Sequence, residues 1–156
     1  MAERTVGAVT SLIANELTAF DGFDSRAEYA GNYWHSPPGS VPMERVQLFG
    51  ELVHEHPYFK DALATQSHQT FRTSDYLQLN QFHRTTLFNE FYRIFEGEAQ
   101  MASAMRLGPE SLITCSLHRP KLDFSDREVT LLGLLTPHIA AAFRNSRAFD
   151  RMRPFA

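Results

Sequence analysis

Hydrophobic and polar positions along the chain change period several times, and each change marks an element. Val9 to Phe20 is a mixed run whose periodicity fits strand or helix equally well. Asp21-Gly22, a turn dipeptide, follows it, and Ala27 to Trp34 then alternates, so two strands joined by a short turn are expected. Ser36 to Pro42 is rich in Pro, Ser and Gly and reads as a loop. Val46, Phe49 and Val53 recur at helical spacing in a helix from about Met43 to His54, which Pro57 ends. A short helix over Tyr58 to Ala64, a short strand over Thr70 to Thr73 and a turn capped by Ser74 or Asp75 come next. From Phe82 to Phe95 the apolar residues are dense. Phe88, Phe91, Tyr92 and Phe95 fall on one helical face, and Gly97 stops that helix.

The second half reads more sharply. Glu98 to Leu107 alternates, Gly108-Pro109-Glu110 forms a turn, and Ser111 to His118 alternates again, which predicts a hairpin. Ser125 and Glu128 form a capping box ahead of an apolar stripe made by Leu131, Leu132, Leu135, Ile139, Ala142 and Phe143. Pro137 lies inside the stripe, so a kink in one long helix is expected there rather than a stop. No repeat and no linker interrupts residues 1–156, and a single α+β domain of antiparallel sheet and helices is expected.

Composition narrows the function classes. The net charge of −3 lacks the basic footprint of a nucleic-acid surface. The single cysteine, Cys115, rules out a disulfide framework within the chain and suits a reducing compartment. The first residues lack a signal-peptide pattern, and no apolar run has membrane-spanning length, so a cytoplasmic protein with no membrane partner is expected. The seven histidines have no close Cys or His partner at zinc spacing, so no metal or other cofactor is expected. Nucleophile-elbow and glycine-rich phosphate motifs are absent. Thirteen Phe, five Tyr and one Trp supply aromatic surface that suits a core and an apolar cavity alike.

Two stretches carry a likeness. Leu87-Phe88-Asn89-Glu90-Phe91-Tyr92-Arg93 resembles the LYNEFYRPLG segment of certain bacterial LuxR-type regulators with a GAF-like N-terminal sensor domain. Asp123 to Glu128, with Leu131-Leu132 and Leu135-Thr136-Pro137-His138-Ile139, resembles the helix that closes that domain. His56-Pro57 and Thr73-Ser74-Asp75-Tyr76 match in place, and the likeness spans residues 55 to 147. It implies a sheet of six strands or fewer flanked by helices, a homodimer, and a small-molecule cavity between sheet and helices. The family's usual N-terminal helix is not expected here. The chain ends at Ala156, where a DNA-binding helix-turn-helix would begin, so no direct DNA binding is expected.

The expected function is therefore a small-molecule-sensing, dimerising regulatory domain whose ligand is small and apolar or aromatic. A stand-alone enzyme using the same cavity on an aromatic or hydrophobic substrate stays open, as does a dimerisation module without ligand. No catalytic residue is assigned. Met101 and Met105 alternate on one strand face, and with Trp34 and Cys115 they are the expected cavity lining. Phe88 and Tyr92 join them from the aromatic helix, and Tyr92, His83 or Tyr76 would orient a ligand.

Overall fold

A computed structural model describes residues 2–24, 26 and 28–152. Five strands form one sheet in the order β2-β1-β5-β4-β3, every neighbouring pair antiparallel. The strands are β1 (Leu17–Phe23), β2 (Tyr29–Ser36), β3 (His68–Arg72), β4 (Ala99–Gly108) and β5 (Ser111–Arg119). Helices α1 (Ala2–Leu12) and α6 (Asp126–Met152) cover one face. The other face is covered by α2 (Met43–Leu52), α3 (Phe59–Ala64), α4 (Leu79–Phe82) and α5 (Thr86–Glu90), joined by short 3-10 turns. The expected α+β architecture is present, with the sheet as its middle layer.

The chain's first element differs from the expectation. Residues 2–12 are helical, and Val9 and Ile13 bury against α6 one helical turn apart. Asp21 and Gly22 lie inside β1, opposite Asn32 and Gly31, where two register irregularities absorb the flexible pair. The turn falls later, at Asp24. Its Oδ1 accepts from the amides of Arg26 and Glu28 at 2.8 and 3.0 Å, the local bonding that suits Asp to turns.

The aromatic stretch is also more broken than a single helix. Thr85 caps a new start, its hydroxyl accepting from the Phe88 amide at 3.1 Å. The Asn89 side chain donates back to the carbonyls of His83 and Thr85. Phe91 leaves helical geometry, and a 3-10 turn over Tyr92–Phe95 ends at Glu96 in the left-handed conformation, one residue before the expected Gly97. A capping box on Gln78 and Gln81 opens α4, in place of the cap expected at Ser74 or Asp75. The hairpin of β4 and β5 follows its expected course.

Helix α6 begins at the expected capping box. Ser125 donates its amide to Glu128 at 2.7 Å, and the Glu128 amide donates to Ser125 Oγ at 3.2 Å. Pro137 does not stop the helix, which runs unbroken from Asp126 to Met152. Arg119, at the end of β5, ties this helix to the sheet. Its guanidinium meets both carboxylate oxygens of Glu128 at 3.0 Å, donates to the carbonyls of Ala14, Leu122 and Asp123, and lies 4.0 Å over the Phe124 ring. The bond to Arg119 holds the Glu128 carboxyl below the usual carboxylate range. Lysine cannot reproduce this fork. Arg119→Lys is expected to lower the unfolding free energy by about 2–3 kcal/mol, read by urea denaturation at neutral pH.

Candidate functional site

Strand alternation gives the sheet two different faces. Phe20, Met101, Met105, Ile113, Cys115 and Leu117 point to α6 and pack solidly against Leu132 and Ile139. On the opposite face the central positions are small. Ala19, Ser116 and Ala102 stand side by side across β1, β5 and β4, and Asp21, Thr114 and Ala104 form the next row. Large aromatic rings stand over these short side chains. Phe49 comes from α2, Tyr58 and Phe59 from the start of α3, Tyr92 from the 3-10 turn and Tyr29 from β2. Short floor and rigid roof leave two narrow adjoining cavities of about 20 and 40 Å³, each lined in part by Asp21, Phe49, Tyr92 and Ser116.

The roof is a continuous run of ring contacts. Tyr29 meets Phe49 at 5.2 Å, Phe49 meets Phe91 at 5.0 Å and Tyr92 at 6.4 Å, and Tyr92 lies against His118 at 5.3 Å. Glycine at position 50 admits this arrangement: a Cβ there would lie 2.7 Å from Tyr29 Cδ1. Tyr29 can therefore lean on α2 and donate its hydroxyl to Asp21 Oδ1 at 2.7 Å.

Polar groups in the site are buried, and burial sets their protonation. His56 shares a 2.9 Å hydrogen bond with Gln100 Oε1, and Gln100 Nε2 donates to the Gly97 carbonyl. Burial lowers His56 to about 4 and His118 to about 3, so both rings are neutral at physiological pH. Burial, helped by the Asp21 charge, lifts the Tyr29 and Tyr58 hydroxyls far above their ordinary value, and Tyr92 moves the same way through burial and its Tyr58 and Asp21 neighbours. General acid–base catalysis works best with groups that titrate near the working pH. These histidines and tyrosines sit far from it, and the arrangement suits recognition better than proton transfer.

The residues expected from sequence are dispersed. Tyr92 lines both cavities. Met101, Met105 and Cys115 are buried on the α6 face, and Trp34 packs against that same cluster, 6.3 Å from Phe20. Burial also pushes the Cys115 thiol up, which keeps it protonated. His83 and Phe88 lie 4.2 Å apart, ring tilted on ring, beside an open surface groove of about 500 Å³. Tyr76, 39% exposed, donates to Asp61 at 2.7 Å; partial burial and then this bond lift the hydroxyl to about 12. Asp21, Phe49, His56, Tyr58, Ser116 and His118 line the cavities and were not singled out as site residues in the sequence. The signal that could have found the floor is the run of small residues at alternate central positions, Ala102 and Ala104 of β4 and Thr114 and Ser116 of β5. Among the described residues, no group of three or more His, Cys, Asp or Glu side chains could hold a metal ion.

No protein-family model and no curated protein matches the sequence. Solved structures do match. The VqsR LBD domain from Pseudomonas aeruginosa aligns over 92% of this chain and 83% of its own, with a TM-score of 0.72 at 15% identity. The GAF domain of a two-component sensor histidine kinase from Bacillus halodurans aligns over 96% and 95%, with a TM-score of 0.64 at 13% identity. The fold is GAF-like. A third neighbour, GAF3 from Slr1393 of Synechocystis, aligns over 97% and 96%, with a TM-score of 0.62 at 14% identity. Identities this low carry the GAF-like fold and nothing of what each neighbour binds. No helix among the described residues is long and apolar enough to cross a membrane.

Proposed function

We propose that this chain is a small-molecule-sensing domain of a bacterial regulator related to the LuxR type, acting as a homodimer in the cytoplasm. The observation that carries this reading is the pair of cavities beneath Phe49 and Tyr92, built where the sheet's floor is small. The neighbour whose title names a ligand-binding domain supports it, as does the likeness of residues 55 to 147 to LuxR-type sensors.

The strands suggest how occupancy is passed on. Ser116 and His118 of β5 face the cavities, while Cys115 and Leu117, one residue away, pack with α6. A ligand that moves β5 or the aromatic roof therefore changes the surface on which α6 rests. The two states differ in how well they fit the ligand, and the ligand shifts their balance by that difference. Leu12 on α1 and Leu134 on α6 are 54% and 67% exposed, and a second copy of the chain would cover them.

Native mass spectrometry of the freshly purified chain tests the reading. The expected result is the mass of two chains carrying a non-covalent organic adduct. A monomer of bare mass that takes up nothing from a panel of small aromatic compounds overturns it.

A further inference from the structure

We propose that a slot beside the start of β4 binds a hydrophobic amino acid, its side chain inside and its two charges held at the mouth by Lys121 and Glu98. The slot shares no lining residue with the cavities beneath Phe49 and Tyr92, and the proposal does not rest on them. It lies between residues 73–82 and the first residues of β4. Its volume of about 110 Å³ approaches the ~150 Å³ that holds a benzene ring, which is room for a branched aliphatic side chain. Leu77, Leu79, Phe82 and Ala99 give it apolar walls. Glu98 and Lys121 line both the slot and the open groove beside His83, so these two charges stand where slot and groove meet.

The charges at the mouth are of both signs and are not spent on each other. Among the described residues Lys121 forms no ion pair, and Glu98 has only His83, with Nε2 3.7 Å from its Oε1. Asp123, the slot's other acid, is already engaged by the Ser74 hydroxyl at 2.5 Å and the Phe124 amide at 2.8 Å. Gln100, fully buried, adds a donor. Its Oε1 meets His56 Nε2 at 2.9 Å and Thr73 Oγ1 at 3.4 Å, and its Nε2 donates to the Gly97 carbonyl at 2.9 Å. A side-chain amide carries two N–H groups, and these bonds use one. A buried donor left over is costly until something accepts from it. A ligand carboxylate answers both Lys121 and that second N–H, and an ammonium on the next carbon answers Glu98. A plain carboxylate would gain Lys121 but meet Glu98 as a like charge, and a plain amine the reverse.

Three probes built on one branched chain decide the question, titrated into the full chain at neutral pH by calorimetry. They are L-leucine, 4-methylpentanoate, which lacks the ammonium, and 3-methylbutylammonium, which lacks the carboxylate. Leucine is expected to bind about tenfold more tightly than either. Lys121→Gln should weaken leucine about tenfold without weakening 3-methylbutylammonium, and Glu98→Gln should weaken leucine as much without weakening 4-methylpentanoate. The ordering in the unaltered chain is read first and stands whether or not the variants fold. An analogue that binds as tightly as leucine overturns the proposal, and so does a leucine affinity that survives both substitutions. Binding of none of the three also overturns it, and leaves the sensing reading to its own test by native mass spectrometry.

Discussion

Between pH 7 and pH 5 the folded chain is expected to lose about 4 kcal/mol of stability, well before its carboxylates protonate. His56 and His118 carry this effect. Both are buried, and burial lowers them from 6.5 to about 4 and about 3 in the folded state. In the unfolded chain each takes up a proton as the pH falls through about 6.5. The unfolded state then binds more protons than the folded one, so stability is complete above about pH 6.5 and falls as the medium is acidified. Each histidine contributes about 2 kcal/mol between pH 7 and pH 5, and the loss continues until the folded rings titrate. Against a typical domain stability of roughly 5–15 kcal/mol this is a large share. Urea denaturation at the two pH values reads it directly. His118→Gln should remove about half of the pH dependence. A stability unchanged from pH 7 to pH 5 would show that these rings are hydrated or paired in the folded chain.

The sequence makes some of this molecule plain and hides the rest for definable reasons. The β4–β5 hairpin and the capping box at Ser125 are legible because each has a local signature: alternation around Gly108-Pro109, and an oxygen acceptor three residues before Glu128. Helix α1 is hidden because Val9 to Phe20 spans two elements with one average periodicity. Asp21-Gly22 misleads because a dipeptide common in turns is also what a bulged strand tolerates. The cavity face is hidden for a deeper reason. Both faces of β4 and β5 are covered, so the alternation that reveals the strands does not tell which face is packed and which leaves space. The adaptable Met101 and Met105 and the small apolar Cys115 fill a tight core, whereas Ala102, Thr114 and Ser116 leave the space. A cavity is marked by what its residues lack. Asp21 could be located only once the register placed it beside Thr114, within reach of Tyr29.

That contrast between faces predicts unequal outcomes for two neighbouring serines. Ser116 lies on β5 facing both cavities, and Ser103 lies on β4 facing α6, fully buried. Ser103 Oγ shares a 2.6 Å hydrogen bond with Thr136 Oγ1, which in turn donates to the Leu132 carbonyl. Ser103→Phe places a ring in that contact, where the core has no room and Thr136 loses the Ser103 hydroxyl. Overpacking costs about 1–3 kcal/mol and the broken buried bond about as much again, so a loss of roughly 3–5 kcal/mol is expected. Ser116→Phe brings the same ring toward the roughly 40 Å³ of open space among Phe49, Tyr92 and Ala102. The roof must shift to admit the ring, and its burial offsets part of that strain, so a loss of about 1–2 kcal/mol is expected, smaller than that of Ser103→Phe. The same ring occupies the ground a ligand would use, so the adduct seen by native mass spectrometry should vanish from Ser116→Phe. If instead Ser116→Phe is destabilised as much as Ser103→Phe, the space beneath Phe49 and Tyr92 is filled in solution and the sensing reading loses its foundation. If it folds and keeps the adduct, the ligand sits elsewhere, and the open groove beside His83 and Phe88 becomes the place to look.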